Sequence, residues 1–422
     1  MIFKDVDVLI ISHDIRLNQT FTNRYISFNQ TLNQHHFKSK IVSVKFPFKP
    51  HPNNDLKEKK FDNDVENVIQ ITAKKLNPIQ NILLKIDKEG LSFSKKKILL
   101  ALHFMFYKVD QWLINKDDLS TIILNASVII SGGASGIIKS ASYLADKNNA
   151  KLVLDYRDPL NFGYHLLETN KLIYKFKRFF TVRNEIQFLR KADHIITVSE
   201  SLKSFFPKEF QAKISVIENG SNYEFSLIKD KINPLPKEFN LVYLGTIYND
   251  QLVDESFFIA LKTFIKQNKL NEGSLKIYFI GSKLNFILPE IITKYGLEPF
   301  TYITERLEEE EVLNYLLNAS MFLHLKYGDR SQIITSKNAD YLMFKKSILL
   351  PVSDKGDLAE SISKYKAGYV CNCVEETVDA LNKEYTKFVN KENVTLNNGD
   401  FSFLSRSEIS KKLLMVIKNL QI

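Results

Sequence analysis

The sequence predicts an α/β protein with two doubly wound domains, each built on a mainly parallel sheet. Apolar runs of strand length recur in two series along the chain, and helical patterns lie between many of these runs. Strand–helix alternation of this kind is typical of parallel sheets with helices on both faces. The length of 422 residues agrees with two domains, because a single hydrophobic core stops growing near roughly 250–300 residues.

The predicted strands have apolar residues at consecutive positions, as expected when both faces are covered. The first series comprises Val6–Ser12, Ser39–Phe46, Ala126–Ser131, Lys151–Asp155, His194–Ser199 and Lys213–Glu218. The second series comprises Phe239–Leu244, Leu275–Ile280, Thr301–Thr304, Ser320–Leu325, Ser347–Pro351 and Gly368–Cys371. Helical patterns between them include Ser135–Lys147, Ser201–Phe206, Asp254–Gln267 and Glu308–Asn318.

Two stretches interrupt the alternation. Lys229–Lys237 has two prolines, four charges and no periodicity, which indicates a linker. Phe48–Lys75 is polar and rich in Asn and Lys, which favours a long loop. A last helix is expected after Ser405, which is spaced from Glu408 as in a capping box. The expected divisions are a first domain over 1–232, a second domain over 233–400 and a C-terminal helix within 401–422.

Composition limits the class of protein. A hydrophobic fraction of 44% and a charged fraction of 25% exclude a disordered or fibrous chain. The net charge of +10 favours an anionic partner, which could be a membrane surface, nucleic acid or a phosphorylated substrate. Cys371 and Cys373 are the only cysteines, so a reducing compartment is expected. Neither a signal peptide nor a membrane span is evident, and we expect a cytoplasmic protein.

Several segments share the pattern of one enzyme family. In the second half, two strands end in glycine, a helix is followed by a strand, and a further helix begins with Ser-Lys; these are Phe239–Thr246, Lys276–Gly281, Leu307–Leu323 and Ser336–Leu349. The first half adds Lys151–Pro159, Ala192–Glu200 and Val216–Gly220. In order and spacing they resemble GT-B glycosyltransferases of retaining family 4. The resemblance implies two Rossmann-like domains facing across a cleft, with the C-terminal helix packing back toward the first.

The resemblance implies that the second domain binds a nucleotide-sugar donor. Lys337, in the first turn of the helix that Ser336 opens, matches the family's lysine and would neutralise the donor phosphates. Helix N-termini favour anions in any case. The other residues implied for the donor are Gly245, Thr246, Gly281, Arg330, Gln332, Ile333, Thr335, Ser336 and Asp340. The alternatives are a solvated lysine at 337 and ordinary tight turns at Gly245 and Gly281.

The donor segment also departs from the family pattern. Many members have two glutamates separated by seven residues, and here Gln332 and Asp340 stand at that spacing. The arginine and lysine that often follow the first glycine are missing after Gly245. The charge of the donor diphosphate must therefore be met elsewhere.

Polar residues after strands of the first domain are the acceptor candidates, because ligands bind at the carboxyl ends of strands in open α/β sheets. Asp158 would orient or deprotonate the acceptor hydroxyl, and Arg157 would meet an acceptor phosphate. His13 joins them as a catalytic candidate, and the remaining acceptor candidates are Asp14, Arg16 and Asp155. The alternative for Arg157 and Asp158 is an internal ion pair.

Nothing in the sequence indicates a metal or other cofactor. Cys371 and Cys373 have no second pair at zinc spacing, so a metal-independent reaction is expected. Two basic and aromatic segments, Ser94–Trp112 and Lys171–Lys191, suit either an anionic membrane surface or a helix with one buried face. No recognised nucleic-acid-binding motif accompanies the charge.

These observations favour a glycosyltransferase that moves a sugar, with retention, from a nucleotide sugar to a saccharide or lipid-linked saccharide in surface polysaccharide biosynthesis. Peripheral contact with an anionic membrane would accompany this activity. A sugar-nucleotide epimerase on the same fold, or a non-catalytic protein that kept the fold, are the alternatives.

Overall fold

The computed structural model describes residues 6–15, 20–45, 68–74, 113–114, 116–120, 125–157, 172–233, 236–392 and 399–420. These residues form two compact units. The first unit extends to Glu218 and takes in the chain again from Ser410, while the second extends from Asn219 to Ile409. The predicted final helix is Arg406–Leu420, so most of it belongs to the first unit, as the family resemblance implied.

The unit boundary differs from the predicted one. The chain divides after Glu218 and not near 232, so the described part of the predicted linker Lys229–Lys237 lies inside the second unit. There Asn233 N donates to Leu317 O at 3.0 Å, and Ile232 is buried. Proline and charge therefore mark a surface connection within the second unit, and the division between units lies in a segment without such composition.

The first unit contains a seven-stranded sheet in the order β3-β2-β1-β4-β5-β6-β7, in which every pairing is parallel. The strands are β1 (Val8–His13), β2 (Ser39–Lys45), β3 (Val68–Thr72), β4 (Val128–Gly132), β5 (Lys151–Asp155), β6 (His194–Thr197) and β7 (Ile214–Val216). The described helices of this unit are Thr20–Gln34, Lys116–Ser120, Ser135–Asn148, Leu172–Lys191 and Glu200–Phe205.

Strand β3 lies in the segment that was predicted to be loop. It pairs with β2 in parallel, Ile41 opposite Val68. The strand is at the sheet edge and its side chains are half-buried or exposed. A short edge strand with one polar face has little of the apolar signal that marks a covered strand, which is why the sequence did not reveal it.

The second unit contains a six-stranded parallel sheet in the order β10-β9-β8-β11-β12-β13. The strands are β8 (Phe239–Leu244), β9 (Leu275–Ile280), β10 (Thr301–Ile303), β11 (Met321–Leu323), β12 (Ile348–Leu350) and β13 (Gly368–Val370). The helices are Phe225–Ile228, Ser256–Gln267, Ile287–Tyr295, Glu309–Leu317, Ser336–Phe344, Asp357–Lys364, Val374–Val389 and the start of Arg406–Leu420. All twelve predicted strands are present in the two sheets.

Both faces of the second sheet are covered, as predicted. Alternate residues of β8 enter different hydrophobic clusters: Tyr243 packs with Phe279 on one face, and Val242 packs with Phe322 on the other. Helix starts agree with the sequence too. Glu308 and Glu311 form a capping box, and Ser405 Oγ accepts from Glu408 N at 3.3 Å.

Each sheet has a point where successive connections leave in opposite directions along the strand order. In the second sheet this point lies between neighbours β8 and β11, which pair through Leu241 opposite Met321. Ligands of doubly wound sheets bind at the carboxyl edge at such a point. The segments that follow β8 and β11 are therefore where a site is expected, and both contain residues singled out from the sequence.

Candidate functional site

Two glycine turns form the floor of the candidate site in the second unit. Gly245 follows β8 with φ +100° and Gly281 follows β9 with φ +83°, backbone conformations that side chains with a Cβ rarely adopt. A Cβ placed on Gly281 would lie 3.6 Å from Gly245 Cα, so the two turns pack directly on each other. The absence of two side chains leaves room at the carboxyl edge of the sheet.

The amides of these glycines are already used by the protein. Gly245 N donates to Ile280 O at 2.7 Å, and Gly281 N donates to Thr304 Oγ1 at 3.2 Å. Ser282 Oγ also donates to Gly245 O at 2.8 Å. The glycines therefore contribute space and a rigid turn, and the groups that would contact an anion come from neighbouring side chains.

Lys337 points at this space. Its Nζ would lie 3.7 Å from a Cβ placed on Gly245. The side chain is 8% exposed, and its Nζ donates to Tyr243 Oη at 2.8 Å. No carboxylate among the described residues forms an ion pair with it. Burial lowers the pKa of Lys337 to about 7, because a buried ammonium without a counter-ion loses its hydration.

Aromatic and neutral groups surround the ammonium. Lys337 Nζ lies 4.2 Å from the centre of the Tyr243 ring and 5.8 Å from that of Tyr327. His324 is fully buried, and burial together with the nearby Lys337 charge holds the pKa of its imidazole well below the usual value. Tyr341 Oη accepts from Leu244 N at 2.7 Å and closes the same side. The aromatic rings stabilise the cation weakly. A bound anion would stabilise the charged form of Lys337 much more strongly.

The helix Ser336–Phe344 adds a second source of positive potential. Its N-cap residue, Thr335, is extended and makes no side-chain capping bond, and its first turn contains no acidic residue. Free N–H groups and the positive end of the helix dipole favour an anion at such a position. The charge of Lys337 and the positive potential at the helix start therefore both favour an anion at the same position, beside Gly245.

Arg330 and Gln332 were predicted to contact the donor, and the structure gives both other partners. The Arg330 guanidinium pairs with Asp250, so it fixes the loop after β8 to the loop after β11. Gln332 Nε2 donates to Ser331 Oγ at 2.7 Å. Arg330 is therefore already neutralised, and a role in charging the phosphate site is not supported.

Asp340, another predicted donor residue, has partners within the second unit. It is 3% exposed, and its Oδ1 accepts from Ser221 Oγ at 2.8 Å and from Asn222 N at 3.0 Å. Burial raises the pKa of this carboxyl to about 6. The carboxylate therefore holds the turn at 221–222 of the same unit, and a contact with ribose hydroxyls stays a prediction.

Of the remaining donor candidates, Thr246 and Ile333 lie in the loops that border the site. Thr246 Oγ1 is 3.5 Å from Arg306 Nη2, and Thr246 O accepts from Tyr243 Oη at 3.2 Å. Ile333 and Ser336 are half-buried in the segment that leads into the helix. Sequence reasoning missed Tyr243, Tyr327 and His324, because an aromatic residue at a strand end gives the same signal as core packing.

In the first unit, Asp155, a predicted acceptor residue, forms a buried ion pair with Arg24. The Arg24 guanidinium donates to both carboxylate oxygens of Asp155 at 2.9 and 3.0 Å, and both residues are 1% exposed. Arg24 also donates to Ile217 O at 3.1 Å and to Glu218 O at 2.6 Å. The pair ties the end of β5 to the helix Thr20–Gln34 and to the segment before the unit boundary.

His13, Asp14 and Arg157 lie at the carboxyl edge of the first sheet, as predicted. Ala134 N donates to His13 Nε2 at 3.4 Å, and the Arg157 guanidinium lies 5.7 Å from the centre of the Phe21 ring. Asp14 is 4% exposed and accepts from Gln70 of β3 at 3.4 Å.

Other expectations lie outside the described residues. Asp158 and Arg16 are among them, as is the whole of Ser94–Trp112. The second basic segment does form a helix, Leu172–Lys191. Its Phe188 packs against the hydrophobic core of the first unit, and the side chains of its other aromatic residues lie outside the described part.

Two kinds of feature are absent from the described residues. No group of His, Cys, Asp or Glu side chains there is arranged to hold a metal ion, and Cys371 and Cys373 are free thiols. Within the same residues, none of the helices combines the length and the apolar character that crossing a membrane requires.

Two Rossmann-like parallel-sheet units in one chain define the GT-B class, and the fold of this chain is of that class. Neither a protein-family profile nor a curated protein matches the sequence. Among solved structures, sucrose-phosphate synthase from Thermosynechococcus elongatus superposes with a TM-score of 0.60 at 9% identity, over 98% of this chain and 99% of that chain. WaaG, a glycosyltransferase involved in lipopolysaccharide biosynthesis, superposes with a TM-score of 0.56 at 11% identity, over 97% and 99%.

Epimerases of the same class are also similar. The UDP-GlcNAc 2-epimerase from Methanocaldococcus jannaschii superposes with a TM-score of 0.50 at 11% identity, over 99% of this chain and 100% of that chain. The similar proteins thus include enzymes of two kinds whose names refer to glycosyl transfer or to a nucleotide sugar. At these identities the likeness establishes the fold, and the activity has to be argued from the site.

Proposed function

We propose that this chain is a nucleotide-sugar-dependent enzyme whose second unit binds the donor phosphates at Lys337 and the start of the Ser336 helix. The observation that carries the proposal is the environment of Lys337. A buried ammonium, with no acidic partner among the described residues, lies at the switch point of a doubly wound sheet, beside a glycine pair and an uncapped helix start. A charge in that position is costly for the fold unless an anion binds there.

The reaction that we propose is glycosyl transfer with retention to a saccharide or lipid-linked saccharide acceptor. As the bond between the sugar and the diphosphate breaks, negative charge develops on the leaving oxygen, and prearranged positive groups stabilise it. Lys337 and the helix start would supply this stabilisation without a metal ion. Asp158, Arg157 and His13 remain our candidates for the acceptor side. The expected setting is surface polysaccharide biosynthesis in the cytoplasm, with peripheral contact to an anionic membrane.

A sugar-nucleotide epimerase is the second candidate, because proteins with that name superpose on the whole chain. Such an enzyme needs the same phosphate site, so Lys337 does not separate the two reactions. The need for an acceptor separates the two reactions. An epimerase converts a nucleotide sugar alone, whereas a transferase releases the nucleoside diphosphate only when an acceptor hydroxyl is present. A non-catalytic protein would bind without either conversion.

The test begins with a panel of nucleotide sugars, in which a bound donor raises the melting temperature of the protein. A donor that binds is then incubated with the enzyme alone and with saccharide acceptors, and the products are separated by mass and chromatography. Lys337→Met should abolish the thermal shift, while Lys266→Met, at an exposed lysine of the helix Ser256–Gln267, should leave it unchanged. A wild-type protein that binds no member of the panel would refute the proposal.

A further inference from the structure

Tyr243, near the end of β8, connects Lys337 to the loop after that strand through its hydroxyl group. Lys337 Nζ donates to Tyr243 Oη at 2.8 Å. The same hydroxyl is within hydrogen-bond distance of two acceptors, Thr246 O at 3.2 Å and Gln251 Oε1 at 3.4 Å, and Tyr243 is fully buried. A hydroxyl has one proton and two lone pairs. Because these two acceptors share the proton, a lone pair stays directed at the ammonium.

Gln251 keeps the Tyr243 hydroxyl in this orientation. Its Oε1 accepts from Tyr248 N at 3.0 Å, and its Nε2 donates to Leu325 O at 3.1 Å. A backbone N–H can only donate and a carbonyl can only accept, so these two contacts fix which end of the amide is the oxygen. Gln251 is 3% exposed. A buried acceptor of fixed orientation therefore faces the hydroxyl, and the direction of the network is set as far as Lys337.

The contact with Tyr243 also fixes the place of the ammonium. A lysine has a flexible four-carbon stem, and ring faces such as those of Tyr243 and Tyr327 attract a cation without demanding one direction. Among the described residues, the bond to Tyr243 Oη is the only hydrogen bond of Lys337 Nζ. It holds Nζ 3.7 Å from a Cβ placed on Gly245. Two of the three ammonium N–H groups remain for a ligand.

We propose that Tyr243 is a positioning residue, whose hydroxyl keeps Lys337 in its charged form with Nζ beside Gly245, ready for an anion. The inference rests on the proposed function, because it takes the ligand of Lys337 to be the donor phosphates. Tyr243 is assigned no contact with the donor and acts through Lys337. Its ring packs with Phe279, so Tyr243→Phe keeps the packing and removes only the hydroxyl.

Loss of the hydroxyl should lower the pKa of Lys337. In the described part of the chain, the titratable groups beside Lys337 are Tyr243 from β8 and His324 and Tyr327 from the segment after β11. Burial raises the pKa of both tyrosines and holds that of His324 well below its usual value. All three are therefore neutral between pH 6 and pH 9. Lys337, whose pKa burial lowers to about 7, is the member of this group that titrates there.

The first readout needs no ligand. The full chain is labelled with ¹³C at lysine Cε and titrated by NMR, and the Lys337 resonance is identified by its absence from Lys337→Met. A hydrogen bond changes an equilibrium by roughly three- to tenfold, so Tyr243→Phe should lower the Lys337 midpoint by about half to one pH unit. The control is Tyr369→Phe, which removes a hydroxyl that donates to Glu384 Oε1 at 2.7 Å elsewhere in the second unit. It should leave the midpoint unchanged.

The second readout is calorimetric binding at pH 6 and pH 9, with whichever of UDP-glucose, UDP-N-acetylglucosamine, GDP-mannose and ADP-glucose the wild type binds. Both phosphates of a nucleotide sugar are diesters whose charge is constant over this range, so the pH dependence comes from the protein. Tyr243→Phe should bind more weakly than the wild type, and the loss at pH 9 should exceed the loss at pH 6 by about three- to fivefold. Gln251→Met removes one acceptor of the Tyr243 proton and should shift both readouts in the same direction by less.

Two results would overturn the inference and leave the proposed function standing. One is an unchanged Lys337 midpoint in Tyr243→Phe. The other is a loss of affinity of equal size at both pH values, as expected of a merely structural tyrosine. If Tyr243→Phe does not fold, as judged by circular dichroism, an unchanged midpoint in Gln251→Met overturns the inference instead. If the wild type binds none of the four nucleotide sugars, the proposed function fails, and the assignment of Tyr243 to donor binding fails with it.

Discussion

Replacement of Lys337 by methionine should make the ligand-free protein more stable while it abolishes nucleotide binding. At pH 6 the buried lysine is protonated, and its pKa of about 7 against an ordinary value of 10.5 corresponds to a penalty of about 5 kcal/mol. The hydrogen bond to Tyr243 returns about 1 kcal/mol and the contact with the aromatic rings about 2 kcal/mol. Methionine keeps the packing without the charge, so the net gain is about 2 kcal/mol.

The effect of Lys337 on the free energy of unfolding changes with pH. Because the pKa of Lys337 is lower in the folded state, the unfolded chain binds more protons between pH 7 and 10.5, and wild-type stability rises with pH across that window. The penalty at pH 10 is less than about 1 kcal/mol. The advantage of Lys337→Met should therefore be greatest at pH 6 and disappear, or change sign, by pH 10.

Urea unfolding at pH 6 and pH 10 measures this difference. Far-ultraviolet circular dichroism follows the unfolding transition, and hydrogen exchange at the amides of β8 and β11 assigns it to the second unit. Lys266→Met is the control for loss of one positive charge. Destabilisation by Lys337→Met of the same size at both pH values, with nucleotide binding intact, would show that Lys337 is a structural residue and would refute the reasoning.

Three further predictions follow from other contacts. Lys346 is buried like Lys337, and burial likewise lowers its pKa to about 7, but its Nζ donates to the carbonyls of three residues. Lys346→Met should therefore destabilise the second unit by about 1–3 kcal/mol. A gain in stability measured by circular dichroism would contradict this. Arg24→Gln leaves the buried Asp155 carboxylate unpaired and should cost the first unit about 3–5 kcal/mol. Urea unfolding followed by circular dichroism measures this loss, and the double variant with Asp155→Asn should lose less than the sum of the two single losses. Turnover should be undiminished in excess EDTA, and activity that is lost and then restored by Mg²⁺ or Mn²⁺ would disprove a metal-independent reaction.

The amino-acid sequence by itself determined the fold class and the strands of both sheets with the exception of β3. Covered parallel strands need apolar residues at consecutive positions, and this requirement is visible locally, as in Phe239–Leu244, whose predicted and observed bounds coincide. The same local logic located the glycine turns and the start of the Ser336 helix. It failed for β3, because an edge strand with one polar face has no such requirement.

Only the tertiary structure decided which charged residues are free to meet a ligand. A carboxylate or guanidinium in the sequence gives no sign of its partner, since that partner is distant along the chain: Asp155 pairs with Arg24, Arg330 with Asp250, and Asp340 accepts from Ser221. Long-range packing likewise buried Lys337 among aromatic rings, where the described part of the chain places no acid beside it. Local patterns fix backbone conformation and burial, whereas charge pairing depends on contacts between segments that the fold alone brings together.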